Sequence, residues 1–213
     1  MALAGKNSLV FLSDTGLTLT NAATTSADGK TFQVAATSAQ GEPFDALASV
    51  TVATSSGGTV SSTAYTLYRP NGSVVFPTSS TNAYTISGTY LPTSQVANAH
   101  GFSYSITGEN TQTTVLGSQW HSRIQTMLDV TGEIQDYHST LVLANRVTSS
   151  SQPVALTFFQ ASTASFDTRC YGFLSADDIS AAVDGVVDGS VSFEGTADAN
   201  GRVITFSTRG TSG

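Results

Sequence analysis

The feature that most constrains this chain is a two-residue alternation of hydroxyl and apolar side chains, repeated in short runs. Tyr84, Ile86 and Gly88 alternate with Thr85 and Ser87, and Phe102, Tyr104 and Ile106 alternate with Ser103 and Ser105. A period of two puts the apolar groups on one face of an extended segment and the hydroxyls on the other, the pattern of a half-buried β-strand. Turn signals separate the runs. In the clearest case, Tyr65-Thr-Leu-Tyr68 and Ser73-Val-Val-Phe76 flank Arg69-Pro70-Asn71-Gly72. Pro70 presets the φ of a turn and Gly72 accepts a positive φ, so a hairpin is predicted there. Further strands are expected at Phe32–Val34 and Val50–Val52, on either side of a Gly41-Glu42-Pro43 loop, and at Val154–Phe159, Tyr171–Ser175, Val187–Glu194 and Arg202–Thr208. Asp198-Ala-Asn-Gly201 reads as a hairpin connection between the last two.

Two segments depart from this pattern. In Trp120–Val130, the residues Trp120, Ile124, Met127 and Leu128 fit a helical face, whereas Ile124, Thr126, Leu128 and Val130 fit a strand, and the strand is preferred. The best helix lies between Asp136 and Arg146, with Asp136 as N-cap and Tyr137, Leu141 and Ala144 on a buried face. The runs Thr54–Gly58 and Ser149–Ser151 are too short for linkers and read as loops. No internal repeat is present, so the prediction is one all-β domain over 1–213, a sandwich or half-barrel of antiparallel strands with one flanking α-helix. Segments near 1–20 and 200–213 are expected to serve as assembly arms.

Composition narrows the function. Only 11% of the residues are charged and the formal net charge is -7, against about 25% charged in an ordinary soluble domain. More than a quarter of the chain is Ser or Thr, and hydroxyls therefore supply most of the polar surface. The 11 Phe and 7 Tyr provide a core that a disordered chain lacks. A single Cys excludes an internal disulfide, Leu9–Leu12 is too short for a signal sequence core, and no stretch reaches the roughly 18 apolar residues of a membrane-spanning helix. Assembly in a reducing cytoplasm is the expectation.

The 8 Lys and Arg are scattered singly, so no cluster is available to neutralise phosphates. The acidic residues behave differently, because Asp177, Asp178, Asp184, Asp188, Glu194 and Asp198 follow one another with no intervening base. Catalytic constellations are thin. His100, His121 and His138 stand about 20 residues apart with no local metal-binding spacing, and their expected role is structural. Arg169 could lower the pKa of Cys170, but a lone thiol beside a strand is expected to be a small buried residue. The pair Asp184 and Asp188 beside glycines lacks the alternating oxygen ligands of a calcium loop. No enzymatic activity, cofactor or metal is predicted.

Several segments resemble a known family. Ala64-Tyr-Thr-Leu-Tyr-Arg-Pro-Asn-Gly-Ser-Val-Val-Phe76 followed by Ala83-Tyr-Thr-Ile-Ser-Gly-Thr-Tyr-Leu-Pro92 resembles the N-terminal half of tail tube proteins of long-tailed bacteriophages. Thr113–Trp120, Leu128–Gly132, Tyr171–Ser175 and Val183–Gly195 resemble its middle and end, in the family's order. Members of that family often end soon after such a closing segment, whereas here a further strand follows Gly195. The resemblance implies a virion structural protein assembled in the host cytoplasm as a ring, usually a hexamer, whose rings stack into a tube conducting the genome. Its implied partners are copies of itself, the tape measure, tail terminator and distal tail proteins, and DNA that passes without specific binding, with no membrane partner. Within this picture the acidic run supplies Asp184, Asp188 and Glu194 as candidates for the DNA-facing lumen, since negative charge repels phosphate. The rival expectations are a capsid decoration or tail-tip sandwich domain, and an adhesin-like binding module.

Overall fold

The computed structural model describes residues 9–36, 38–96, 99–113, 123–137, 143, 147, 152–159, 166–180 and 187–208. The fold is all-β, built from β1 (Leu9–Ser13), β2 (Leu17–Thr25), β3 (Thr31–Val34), β4 (Thr51–Thr54), β5 (Thr66–Tyr68), β6 (Ser73–Val75) and β7 (Tyr84–Tyr90), followed by β8 (Thr93–Gln95), β9 (Ala99–Gln112), β10 (Arg123–Tyr137), β11 (Val154–Phe159), β12 (Phe166–Ser180), β13 (Asp188–Gly195) and β14 (Ile204–Thr208). The larger sheet has the order β8-β1-β11-β12-β13-β10-β9, with β14 also paired to β12, and it curls into a half-barrel. The smaller has the order β4-β7-β2-β3-β6-β5. Every pairing is antiparallel.

Each sheet has its own core. On the inner face of the larger sheet, Val10, Leu12, Val130, Ile134, Leu156, Phe158, Val191 and Phe193 pack with Leu143, which together with Val147 is helical. The smaller sheet buries Phe32, Phe76 and Tyr84 as an aromatic cluster, with Phe76 and Tyr84 stacked at 4.5 Å and Phe32 edge-on to Tyr84 at 4.9 Å. Burying one such side chain contributes about 1.5–3 kcal/mol. All six residues of β11 are buried because both faces of that strand are covered.

The Tyr65–Phe76 hairpin forms as expected: β5 and β6 pair from Thr66↔Val75 to Tyr68↔Ser73 across a 3-10 turn at Arg69–Asn71, and Gly72 has φ +58°. The Val50–Val52 strand falls at Thr51–Thr54, and Trp120–Val130 contributes a strand from Arg123 onward, its first three residues lying outside the described ones. Asp136 is not a helix cap. It is a buried residue of β10 opposite Gly189 and Ala99, because the strand continues through Tyr137. Leu141, Ala144 and Arg146 lie outside the described residues, as does Ser149–Ser151.

A second correction concerns Asp198–Gly201. The turn exists: the Asp198 carboxylate accepts from the Asn200 and Arg202 amides, and Gly201 has φ +78°. The strands on either side of it do not pair with each other. Instead both lie along one edge of β12, β13 against Gly172–Ser180 and β14 against Phe166–Cys170. The Tyr171 carbonyl accepts from the Thr196 amide and the Tyr171 amide donates to the Val203 carbonyl. β13 and β14 are therefore one line of strand interrupted by an excursion over 196–203.

That excursion helps to join the two sheets. Arg69 Nη1 donates to the carbonyls of Asp45 (2.6 Å) and Ala48 (2.7 Å), and its Nε donates to Asn200 Oδ1 at 3.0 Å. Arg202 lies 4.0 Å over the Tyr68 ring and donates to the Leu67 carbonyl. From the outer face of β12, Arg169 donates to Gly41 and Pro70 carbonyls, and the Tyr171 hydroxyl to Phe44. A small apolar cluster of Ala46, Leu91, Ala155 and Tyr171 completes the junction. It covers the β11 side of the larger sheet's outer face, whereas among the described residues nothing packs on the β13–β10–β9 side, the bare side below.

Candidate functional site

The bare side is built by simple alternation. In β13, Gly189, Val191 and Phe193 are buried, while Asp188, Ser190, Ser192 and Glu194 point outward, with the two carboxylates exposed. Residues directly opposite one another in antiparallel strands share a face. In β10, Thr131, Glu133, Gln135 and Tyr137 stand opposite Glu194, Ser192, Ser190 and Asp188. On the other flank of β13, Phe173 pairs with Glu194 and Asp178 with Ser190. The outer face thus gathers Glu194, Glu133, Asp178 and Asp188, embedded among Ser103, Thr131, Ser190 and Ser192.

The register keeps these charges apart. Each carboxylate faces a hydroxyl, phenol or aromatic group across the ladder, never another carboxylate, so direct like-charge opposition, which destabilises sheets, is avoided. Their fields still add outside the surface. A hollow of about 360 Å³ between Glu133, Asp178 and Asp188 is edged by His100, whose ring stacks on Tyr137 at 4.3 Å. Among the described residues no Lys or Arg lines this hollow or the one beside Glu133 and Glu194. Among the basic side chains, Arg69, Arg169 and Arg202 are engaged at the sheet junction on the far side.

Of the three lumen candidates, the structure therefore brings Asp188 and Glu194 onto one exposed face, while Asp184 lies outside the described residues. Asp178 belongs to the acidic run read from the sequence but not to its three lumen candidates, and Glu133 belongs to neither. Asp178 reaches it because the β12 register shifts between Leu174 and Ala176, which inverts the alternation beyond that point. Glu133 belongs to the long β10, whose C-terminal end had the local features of a helix start.

His121 and His138 lie outside the described residues, and among those described no group of three or more His, Cys, Asp or Glu is placed to hold a metal ion. Cys170 is buried in the inner core, and burial pushes its thiol up to about 12. Arg169 does not activate it, because neighbouring residues of a strand face opposite sides and the guanidinium pairs with Asp167 at 2.8 Å. The thiolate being the reactive form, native protein at pH 8 is expected to leave a disulfide-exchange reagent unreacted for hours and to consume one equivalent within minutes in denaturant. Equal rates in the two conditions would contradict the burial of this residue.

Fold and surface together define a class: an all-β, antiparallel protein of two sheets, with a hydroxyl-rich, acidic outer face. No protein-family model and no curated protein sequence matches the chain. Among solved structures it is similar to a chain described as "Virion of native gene transfer agent (GTA) particle", with a TM-score of 0.43 and 11% identity over 55% of this chain and 89% of that one.

Proposed function

We propose that this chain is a structural subunit of a bacteriophage tail tube, without enzymatic activity, in which copies form rings, usually hexamers, that stack around a DNA-conducting lumen. The observation that carries the reading is the acidic face of Glu194, Glu133, Asp178 and Asp188 on a curled sheet, lined by no Lys or Arg among the described residues. A conduit must let phosphate pass without holding it. A surface with no Lys or Arg offers no counterion release to a bound duplex, and staggered carboxylates repel the backbone at every register. The scarcity of charge elsewhere suits subunit contacts, since strands dressed with Ser and Thr can be covered by neighbours without desolvating ions. In this reading Asp184 joins the lumen set, and the tape measure, tail terminator and distal tail proteins are the further partners within the virion.

Electron microscopy of the purified protein tests the assembly: rings or tubes are expected, and monomers alone at every concentration and salt would remove the reading. The lumen assignment is tested separately by an Asp188→Lys, Glu194→Lys double variant. Tubes should assemble normally while DNA release from particles falls by about tenfold or more, because each Lys adds a phosphate contact that salt must compete away. Release at the native rate, or an assembled tube with both carboxylates on its outer wall, would overturn the assignment.

A further inference from the structure

The larger sheet forks at Gly195. Up to that point β13 lies between β12 and β10. Beyond it β14 takes the same lane beside β12, while among the described residues the 123–130 stretch of β10 pairs with β9 alone. Val130 and Val203 mark the apex of the fork, each with an atom 2.8 Å from where a Cβ on Gly195 would stand. Past the apex opens a cleft of about 770 Å³, with Ile106, Leu128 and Val130 on the β9–β10 arm and Val203, Ile204 and Phe206 on the other wall. Ile106, Leu128 and Phe206 are 42%, 59% and 62% exposed. The β14 wall also presents unpaired backbone. The Tyr171 amide donates to the Val203 carbonyl, so by the alternation of an antiparallel ladder Ile204 and Phe206, offset by odd numbers, turn their N–H and C=O groups away from β12 and into the cleft.

We propose that the cleft is the open position of a jaw: in the lone chain in solution the β9–β10 arm closes on β14, and the ladder between β10 and β13 continues through it. The registers on the two sides already agree. Thr131 stands opposite Glu194, which puts Val130 opposite Gly195. Gly195 stands opposite Gly172, and two residues along β12 Cys170 stands opposite Ile204. Two residues along β10 from Val130 is Leu128, so the row through Cys170 and Ile204 meets the arm at Leu128. The directions agree, because β13 and β14 both run antiparallel to β12 and β10 runs antiparallel to β13. The faces agree too: Ile204 lies opposite the buried Cys170, and Leu128 has the parity of the buried Val130, so both belong to the inner face. Closure seats Leu128 beside Ile204, with Ile106 beyond Leu128 and Phe206 next along β14, and the exposed apolar groups meet one another instead of water. The bulge between Gln125 and Met127 bends the arm beyond this stretch, which keeps the new ladder short. A two-stranded arm is marginally stable alone in water, and an open strand edge invites pairing with other chains. Closing the jaw removes the two liabilities together.

The test uses the full chain with Leu128→Cys and Ile204→Cys. Cys170 is changed to Ala in the same chain, because it stands opposite Ile204 and would compete for the new thiol. Directly opposed Cα atoms of an antiparallel pair lie about 4.5–5.5 Å apart, within disulfide reach. The control, Leu128→Cys with Phe206→Cys, sets the thiols on a diagonal of about 7–8 Å, at or past that reach. Under mild oxidation at micromolar protein the first variant is expected to form an intramolecular disulfide at least tenfold faster than the control, seen as a joined peptide by mass spectrometry of the monomer band. No disulfide, equal rates in the two variants, or links between copies would overturn the proposal. Should the variants fold poorly, hydrogen exchange of the unaltered chain decides: the Ile204 amide should exchange at least tenfold more slowly than in an unfolded chain, and exchange at the unfolded rate would overturn closure. Neither result depends on whether the protein builds a tube.

Discussion

Gly72→Ala is expected to destabilise the protein by about 2–5 kcal/mol, more than the same change at Gly201. Both glycines have positive φ, +58° and +78°, so both substitutions carry the left-handed strain of about 1–2 kcal/mol. They differ in what a Cβ would meet. At Gly201 nothing lies within 4 Å, whereas at Gly72 the new atom would overlap the Glu42 carbonyl oxygen, far inside van der Waals contact. That oxygen cannot retreat freely, because the Glu42 carboxylate accepts from the amide and hydroxyl of Thr93 at 2.9 and 2.8 Å. Relieving the clash must either break those bonds or open the β5–β6 turn, and overpacking of this kind adds about 1–3 kcal/mol. Denaturant midpoints of the two variants, with equal slopes, measure the difference. Equal losses at both positions would show that the strain acts alone and that the Glu42 segment yields.

The same turn shows what was legible in the sequence. Pro70 and Gly72 act within four residues of each other, and a local rule was enough to predict the hairpin. The alternation at Tyr84–Tyr90 and the apolar block Val154–Phe159 were similarly readable, since each strand carries its own face pattern. Asp188 and Glu194 are separated by an even number of residues in an unbroken strand, so their common face follows from the period alone. Where prediction failed, the deciding contact was distant in sequence. Asp136 has the local chemistry of an N-cap, yet its partners are Gly189 and Ala99, and pairing on both edges carries the strand past it. Asp198–Gly201 makes the turn its residues dictate, but whether the strands beside it pair with each other or with β12 is decided by residues 166–180. Asp178 could not be assigned to the acidic face, because the register shift after Leu174 is set by how β12 fits β13.

Arg69→Met is expected to cost about 3–5 kcal/mol and to loosen the smaller sheet from the larger. Arg69 is 5% exposed, and three of its N–H bonds end on acceptors from two different segments: the Asp45 and Ala48 carbonyls and Asn200 Oδ1. Methionine fills much of the volume but donates nothing, and it leaves three part-buried acceptors without their donor, a loss of about 1–3 kcal/mol each where water cannot replace it. It also releases Asn200, which sits in the excursion turn that the Asp198 Oδ1 organises. Among the described residues the apolar part of the junction is small, Ala46, Leu91, Ala155 and Tyr171, so the polar contacts are expected to carry much of the joint. Each sheet, however, keeps its own core. The variant should therefore unfold in two transitions instead of one, with proteolysis entering first at the Asp45–Ala48 and Asp198–Arg202 segments. A single transition with coincident probes and a loss under 1 kcal/mol would mean that Arg169, Arg202 and Tyr171 suffice to join the sheets. Arg69→Lys separates charge from geometry: it keeps the cation but not the fork that reaches both carbonyls and Asn200, and should recover less than half of the loss.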